Sequence, residues 1–271
     1  MRTWWIVMNG RRRWQFLPPL YTLKPSCNTH RHSSSPSSGT GEAFLHPGAA
    51  MSQLRTAIVI DYQNLHLTAH GLFDRYRPPH ESLIHPGQYA KNLIQRRNSI
   101  IRDRSEAVLT EVDVYRGLPN AKHDPDFYGR NLAHKSQWER DPSIHVTHRP
   151  LKYTYKYADD GTRATDGQGN FLIAKREEKG VDVLCALGLV RRSLEDDIDL
   201  VILCTQDTDL SHAIDEVLHY GQARVETASW FAKDEYRRSK EIRPSLKGIR
   251  IWNTRMGQRE FFGSIDRTQY F

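Results

Sequence analysis

Four aspartates in this chain have the residue type and placement for metal chemistry. Asp61 closes the apolar run Ala57-Ile58-Val59-Ile60. Asp207 and Asp209, two residues apart, follow Leu200-Val201-Ile202-Leu203-Cys204-Thr205-Gln206. Asp182 is the lone charge in Gly180-Val181-Asp182-Val183-Leu184-Cys185-Ala186-Leu187. The two apolar runs read as strands buried on both faces of a parallel sheet, and open α/β sheets bind ligands just outside the carboxyl ends of their strands. Carboxylates gathered there suit a hard cation, Mg²⁺ or Mn²⁺, and such an ion serves hydrolysis at phosphate. Each residue also has a plainer use. Asp207 can cap a helix, Asp182 can meet the free N–H groups of a first turn, and Asn64 can form an Asx turn. Taken singly the plainer uses are favoured; the shared position near strand ends favours a cation. An aspartate amid the apolar residues around 182 also calls for a cation, a donor or a helix N-terminus.

The elements that must position these groups alternate regularly from Met51 onward. Strands are expected at Ala57–Ile60, Ala107–Tyr115, Ile144–Thr147, Leu200–Thr205, Arg224–Ala228 and Gly248–Trp252. Helices are expected from Pro86, where Tyr89, Leu93, Ile94, Ile100 and Ile101 share a face, and over Pro125–Arg140, Val181–Arg192, Thr208–Tyr220 and Asp234–Glu241. The Val181–Arg192 segment is apolar almost all round and should be deeply packed. Repeated β–α alternation predicts a mostly parallel sheet with helices on both faces, a Rossmann-like three-layer α/β fold. The domain should span 51–253, with 254–271 as a tail.

Three strings carry a family resemblance: Ile60-Asp61-Tyr62-Gln63-Asn64-Leu65, Lys179-Gly180-Val181-Asp182-Val183 and Thr205-Gln206-Asp207-Thr208-Asp209-Leu210. In order and content they resemble the signature blocks of the NYN domain family, in the PIN-like superfamily of metal-dependent ribonucleases. The resemblance covers about residues 55–230. It implies a PIN-like fold and a Mg²⁺ or Mn²⁺ held by Asp61, Asp182, Asp207 and Asp209. It further implies that Asn64 orients the Asp61 side of the site or a phosphate oxygen, that Thr205 adds a hydroxyl, and that Lys179 lies at the substrate. The expected reaction is hydrolysis of RNA phosphodiester bonds, and the alternative is a non-catalytic RNA-binding or regulatory module on the same fold. The sequence departs from the pattern at three places. Gln206 stands where many relatives have glycine, Leu210 replaces an aromatic residue, and a further family acid falls on Gly188. The last change should weaken a second metal more than the first.

Between the third strand and the apolar helix, Lys152-Tyr153-Thr154-Tyr155-Lys156-Tyr157 alternates as a strand would. Asp160-Gly161 and Asp166-Gly167 are turn signals, and Phe171-Leu172-Ile173 and Lys175-Arg176 follow. A hairpin insertion near 151–179 is expected to carry Lys152, Tyr153, Tyr155, Lys156, Lys175 and Arg176 towards Asp182. There they would hold phosphates and stack on unpaired bases. A purely structural hairpin, its tyrosines packed on the sheet, has equal weight.

Of 39 Lys and Arg and 32 Asp and Glu in the 271 residues, six basic groups and one acid lie in residues 1–50, leaving residues 51–271 with a net charge of only +2. A nucleic-acid site in the domain must therefore be a local patch. Residues 1–50 combine an Arg run with a Ser/Pro-rich stretch and offer no core, which reads as a disordered tail. Transit peptides share that composition. Three cysteines are too few for a disulfide framework, and Cys185 and Cys204 fall in apolar runs as buried thiols do. The longest early apolar stretch, Trp4–Met8, is too short for a membrane span. The expected setting is cytoplasmic, the partner single-stranded RNA with no membrane, and a homodimer is allowed for. His66 and His70 have zinc-ligand spacing, but no third ligand is evident. A phosphatase of another α/β fold would need a second acid at position 63, which is Gln63.

Overall fold

The computed structural model describes residues 52–101, 105–232 and 240–270. The expected tail at 1–50 and most of the expected helix at Asp234–Glu241 lie outside them. The elements run β1 (Ser52–Asp61), α1 (Tyr62–Phe73), α2 (Pro86–Ile100), β2 (Ser105–Leu118), α3 (Pro125–Trp138) and β3 (Ile144–Pro150). A two-stranded insertion follows, β4 (Lys152–Tyr155) with β5 (Ile173–Glu177). The chain continues through α4 (Val181–Ser193), β6 (Leu200–Cys204), α5 (Ser211–Tyr220), β7 (Arg224–Trp230), β8 (Asn253–Met256) and α6 (Gln258–Gly263).

Six strands form one sheet in the order β3-β2-β1-β6-β7-β8, every neighbouring pair parallel. Strand alternation divides the core into two layers. Ile58 and Ile60 of β1, Val112 and Val114 of β2 and Ile202 and Cys204 of β6 pack with α1, α2, Trp138 of α3 and Phe261 of α6. Ala57, Val59, Val201, Leu203 and Val225 face the other way, against Val181, Cys185 and Leu189 of α4 and Ile214 and Val217 of α5. This is the three-layer α/β fold. With the hairpin set aside, the strand order is that of a doubly wound sheet. Its topological switch point falls between β1 and β6, where connections leave in opposite directions and a crevice opens at the carboxyl ends.

Several sequence expectations need correction. The last strand is Asn253–Met256 rather than Gly248–Trp252, because the residues that register with Thr227–Trp230 of β7 begin at Asn253. The segment 254–271 is no tail. It holds most of β8 and all of α6, and Met256 and Phe261 are fully buried. Helix α4 is not packed all round: Val181, Cys185, Gly188 and Leu189 are buried, whereas Val183 and Leu187 are more than half exposed. Thr208–Leu210 is a 3₁₀ turn, and α5 proper begins at Ser211. Cys185 and Cys204 are free and buried. Among the described residues no helix is long and apolar enough to cross a membrane.

Candidate acidic cleft

A cleft of about 490 Å³ opens at the switch point, lined by Asp61, Gln63, Asn64, Leu67, Thr68, Glu178, Lys179, Gly180, Val181, Asp182 and Asp207. Four of these are acids and one is a cation. Asp61 ends β1 and is 6 % exposed. Its carboxylate caps α1, accepting from the Asn64 backbone N–H at 3.3 Å, and its second oxygen accepts from Thr205 Oγ1 at 3.3 Å. Burial raises its pKa to about 6, and the negative charges of Asp207 and Asp182 push the same way against those two donors. Asp61 thus feels the charge of two other carboxylates of the cleft.

The β6 side of the cleft is tied down by short polar contacts. The Asn64 side chain accepts from the Gln206 N–H at 2.8 Å, and Thr205 Oγ1 accepts from the Asp207 N–H at 3.1 Å. Asp207 in turn caps the 3₁₀ turn by accepting from the Asp209 N–H at 3.0 Å. So Asn64, itself in the lining, and Thr205 tie the acid-bearing segments together, and Asp207 does its capping work within the cleft. The Gln206 amide is buried with neither end paired to a described residue.

Asp182 is exposed on the first turn of α4 and faces the cleft, so the expected buried charge is not there. Gly180 precedes it with φ 79°, the left-handed conformation that glycine adopts without strain. The first turn of α4, whose leading N–H groups have no intrahelical partner, thus borders the cleft. Lys179 lines the mouth, its Nζ 3.8 Å from Glu177.

Asp209 does not line the cleft; it is exposed on the 3₁₀ turn, beyond the lining residues. Glu178, which the sequence reading passed over, does line it. Its carboxylate accepts from the Gly117 N–H at 2.6 Å, and Gln63, with its amide nitrogen turned to the acid, donates at 2.6 Å. Burial raises the Glu178 pKa, with Asp61 adding to the rise. A Cβ at 117 would collide with Glu178, so glycine is what lets the acid reach the backbone of β2. The only sequence signal for Glu178 was its place next to the Lys179-Gly180-Val181-Asp182 string.

The hairpin forms, but its basic and aromatic groups do not reach the cleft. Tyr153 donates to Asp124 at 2.7 Å and accepts from the Asn120 N–H at 2.9 Å; the Tyr155 hydroxyl lies 2.9 Å from His123 Nε2. Arg176 pairs with Asp124 at 2.8 Å, Lys175 with Glu177 at 2.6 Å, and Arg163 covers the Tyr155 ring at 4.6 Å. Lys152 and Lys156 are exposed outside the cleft lining. The tyrosines dock the hairpin on the loop before α3 rather than on the sheet. At Gly188 the space an acid would need is filled by the Tyr115 ring. His66 and His70 each donate from Nε2 to a backbone carbonyl, of Pro79 at 3.0 Å and Arg77 at 2.7 Å, which ties both rings to the chain that follows α1.

Among the described residues no three His, Cys, Asp or Glu side chains stand close enough together to grip a metal ion as they are. The donor set nonetheless has the chemistry for a hard divalent cation: one buried carboxylate with no cation paired to it, and three more acids around the same space.

No protein-family model and no curated protein matches this chain. A crystal structure of a protein of unknown function from Vibrio parahaemolyticus is similar to it at 17% identity, covering 68% of this chain and 84% of that one, with a TM-score of 0.33.

Proposed function

We propose that this chain is a metal-dependent ribonuclease of the NYN type, hydrolysing RNA phosphodiester bonds at the acidic cleft. The observation that carries the reading is that Asp61, Glu178, Asp182 and Asp207 line one cleft at the topological switch point, with Lys179 the one cation in the lining. A wall so charged repels RNA unless a divalent ion is present, and the buried Asp61 with its raised pKa gains most from one. Asp61, Asp182 and Asp207 would hold Mg²⁺ or Mn²⁺. When bound, such an ion lowers the pKa of a water and neutralises charge on the phosphate. The protein's own part is placement. Thr205 and the Asn64 backbone aim Asp61, Asn64 ties the β6 loop to α1, and the α4 N-terminus with Lys179 attracts the phosphate.

A second reading, a module that binds RNA without cutting it, is favoured by one observation: the acids stand apart, with Asp207 committed to a cap. Cleavage of an unstructured RNA with and without Mg²⁺ or Mn²⁺ separates the two. Wild type should cut only with metal, and Asp207→Asn should lose activity by orders of magnitude while keeping its melting temperature within a few degrees. Absence of metal-dependent cleavage by wild type would sink the enzyme reading and leave the binding module.

A further inference from the structure

The positive charge of the domain is concentrated outside the lining of the acidic cleft. Residues 240–259 carry Lys240, Arg243, Lys247, Arg250, Arg255 and Arg259 against the single acid Glu241, a net of +5. The rest of residues 51–271 holds 27 basic and 30 acidic groups, a net of −3. Affinity of this domain for a polyanion must therefore arise mainly along that stretch.

Part of the stretch borders a groove of about 580 Å³ between the C-terminal half of α2 and the chain entering the edge strand β8. The apolar lining is held open to solvent: Ile100 is 39%, Ile249 44% and Trp252 41% exposed. Trp252 donates from Nε1 to Thr254 Oγ1 at 3.0 Å, which fixes the indole by its edge. Arg255 is engaged by Glu241 at 2.6 Å, and Arg243 lies 3.5 Å from the same carboxylate. Arg96 and Arg250 line the groove too, and neither makes a side-chain hydrogen bond or ion pair with a described residue. A second cleft of about 370 Å³ shares Arg96 and adds Arg259, so the basic track continues towards α6.

Guarding an edge strand needs only charge on the strand itself, and Arg255 supplies that. It does not require an exposed indole amid free guanidinium groups. That combination matches single-stranded nucleic acid, whose phosphates pair with guanidinium and whose bases stack on aromatic rings. We propose that this groove binds a single-stranded nucleic acid chain, with Arg96 and Arg250 on phosphates and Trp252 against a base. The groove lies towards the amino end of the sheet, since α2 leads into the start of β2. The acidic cleft is at the carboxyl end. The groove is thus a holding surface separate from the cleft.

The test uses the full chain without divalent ions, so cleavage is silent and the outcome does not depend on the nuclease reading. Fluorescence anisotropy of a labelled oligouridylate of about 12 nucleotides is followed across salt concentrations. Arg96→Gln with Arg250→Gln should weaken binding about tenfold or more and flatten the log–log salt slope by about 1.4, the value for two lost single-strand phosphate contacts. Trp252→Ala should lose several-fold in affinity with the slope unchanged, and should narrow the preference for single strand over duplex. Lys152→Gln with Lys175→Gln makes the same charge change on the hairpin and should leave affinity within about twofold of wild type, the expectation for residues outside the contact. The proposal is overturned if the groove variant binds like wild type or if the hairpin variant loses as much. It is also overturned if polyglutamate displaces the oligonucleotide charge for charge while Trp252→Ala has no effect.

Discussion

Asp61 is the residue on which the cleft turns, because its burial sets both its electrostatics and its use. The folded-state pKa of about 6 lies above the ordinary value of 3.8. A carboxyl raised in this way weakens the fold where it is ionised, above about pH 6, and the cost fades as pH falls towards 4 and the folded form takes up its proton first. Asp61→Asn keeps the shape and the capping oxygen but removes the charge. At about pH 8 without metal the variant should be more stable than wild type by on the order of 1–3 kcal/mol, read as a rise in melting temperature of several degrees. Near pH 4 the difference should vanish. Adding Mn²⁺ should raise the melting temperature of wild type and leave the variant unmoved; an equal rise in both would show that Asp61 does not hold the ion. The places of Asp207 and Asn64 in the cleft lining were legible because their strings end apolar strands. Glu178 was not, since nothing local distinguishes an acid that meets Gly117 of β2 from one in solvent.

At the scale of elements, two contacts decide how pieces dock. Helix α4 closes on β2 because Gly188 leaves room for the Tyr115 ring, which is 3% exposed. Gly188→Ala would force the ring aside and should cost on the order of 1–3 kcal/mol, the range for overpacking, measured by urea unfolding. A neutral effect would mean that the ring has somewhere else to go. The hairpin is held instead by polar contacts centred on Asp124, 8% exposed, which receives Tyr153 and Arg176. Arg176→Ala leaves that buried carboxylate with one donor fewer. Limited proteolysis should then cut within residues 156–172 faster than in wild type, while the melting temperature falls by only a few degrees. Unchanged protection would place the docking energy in the tyrosines alone.

For the molecule as a whole, acid sensitivity follows from buried histidines that share the field of one unusual cation. Arg116 lies between Tyr62 and Trp138, at 4.7 and 5.7 Å from their rings, with no carboxylate at ion-pair distance among the described residues. Burial, and secondarily this guanidinium, lowers His66, His134 and His148 to about 4. An unfolded histidine protonates near pH 6.5, and these do so only near 4. Stability is therefore unaffected by them above about pH 6.5, is lost as pH falls from there to 4, and levels off below. The loss should be on the order of 2–3 kcal/mol for each of the two more buried rings, His66 and His134. It opposes and outweighs the gain from Asp61, so the melting temperature should drop steadily over that interval. His66→Gln with His134→Gln should flatten the drop. A melting temperature independent of pH from 6.5 to 4 would contradict the assignment.

The sequence by itself determined the layered α/β class, since apolar runs and helical spacing are local properties that few architectures can bury. It also determined that Asp61 and Asp207 would stand near strand ends, because Asp61 closes β1 and Asp207 lies only three residues past β6. Tertiary structure alone decided the rest. Strand order put β1 beside β6 and so created the crevice, which no single segment encodes. The same packing left Asp209 outside the cleft and brought Glu178 in, and it turned the tyrosines of the hairpin onto Asn120, His123 and Asp124. It ordered 253–263 as an edge strand and a helix, because those residues find their partners in β7 and α2, far away in the chain. Side-chain destinations of this kind depend on which surfaces meet, and that is settled only when distant segments pack.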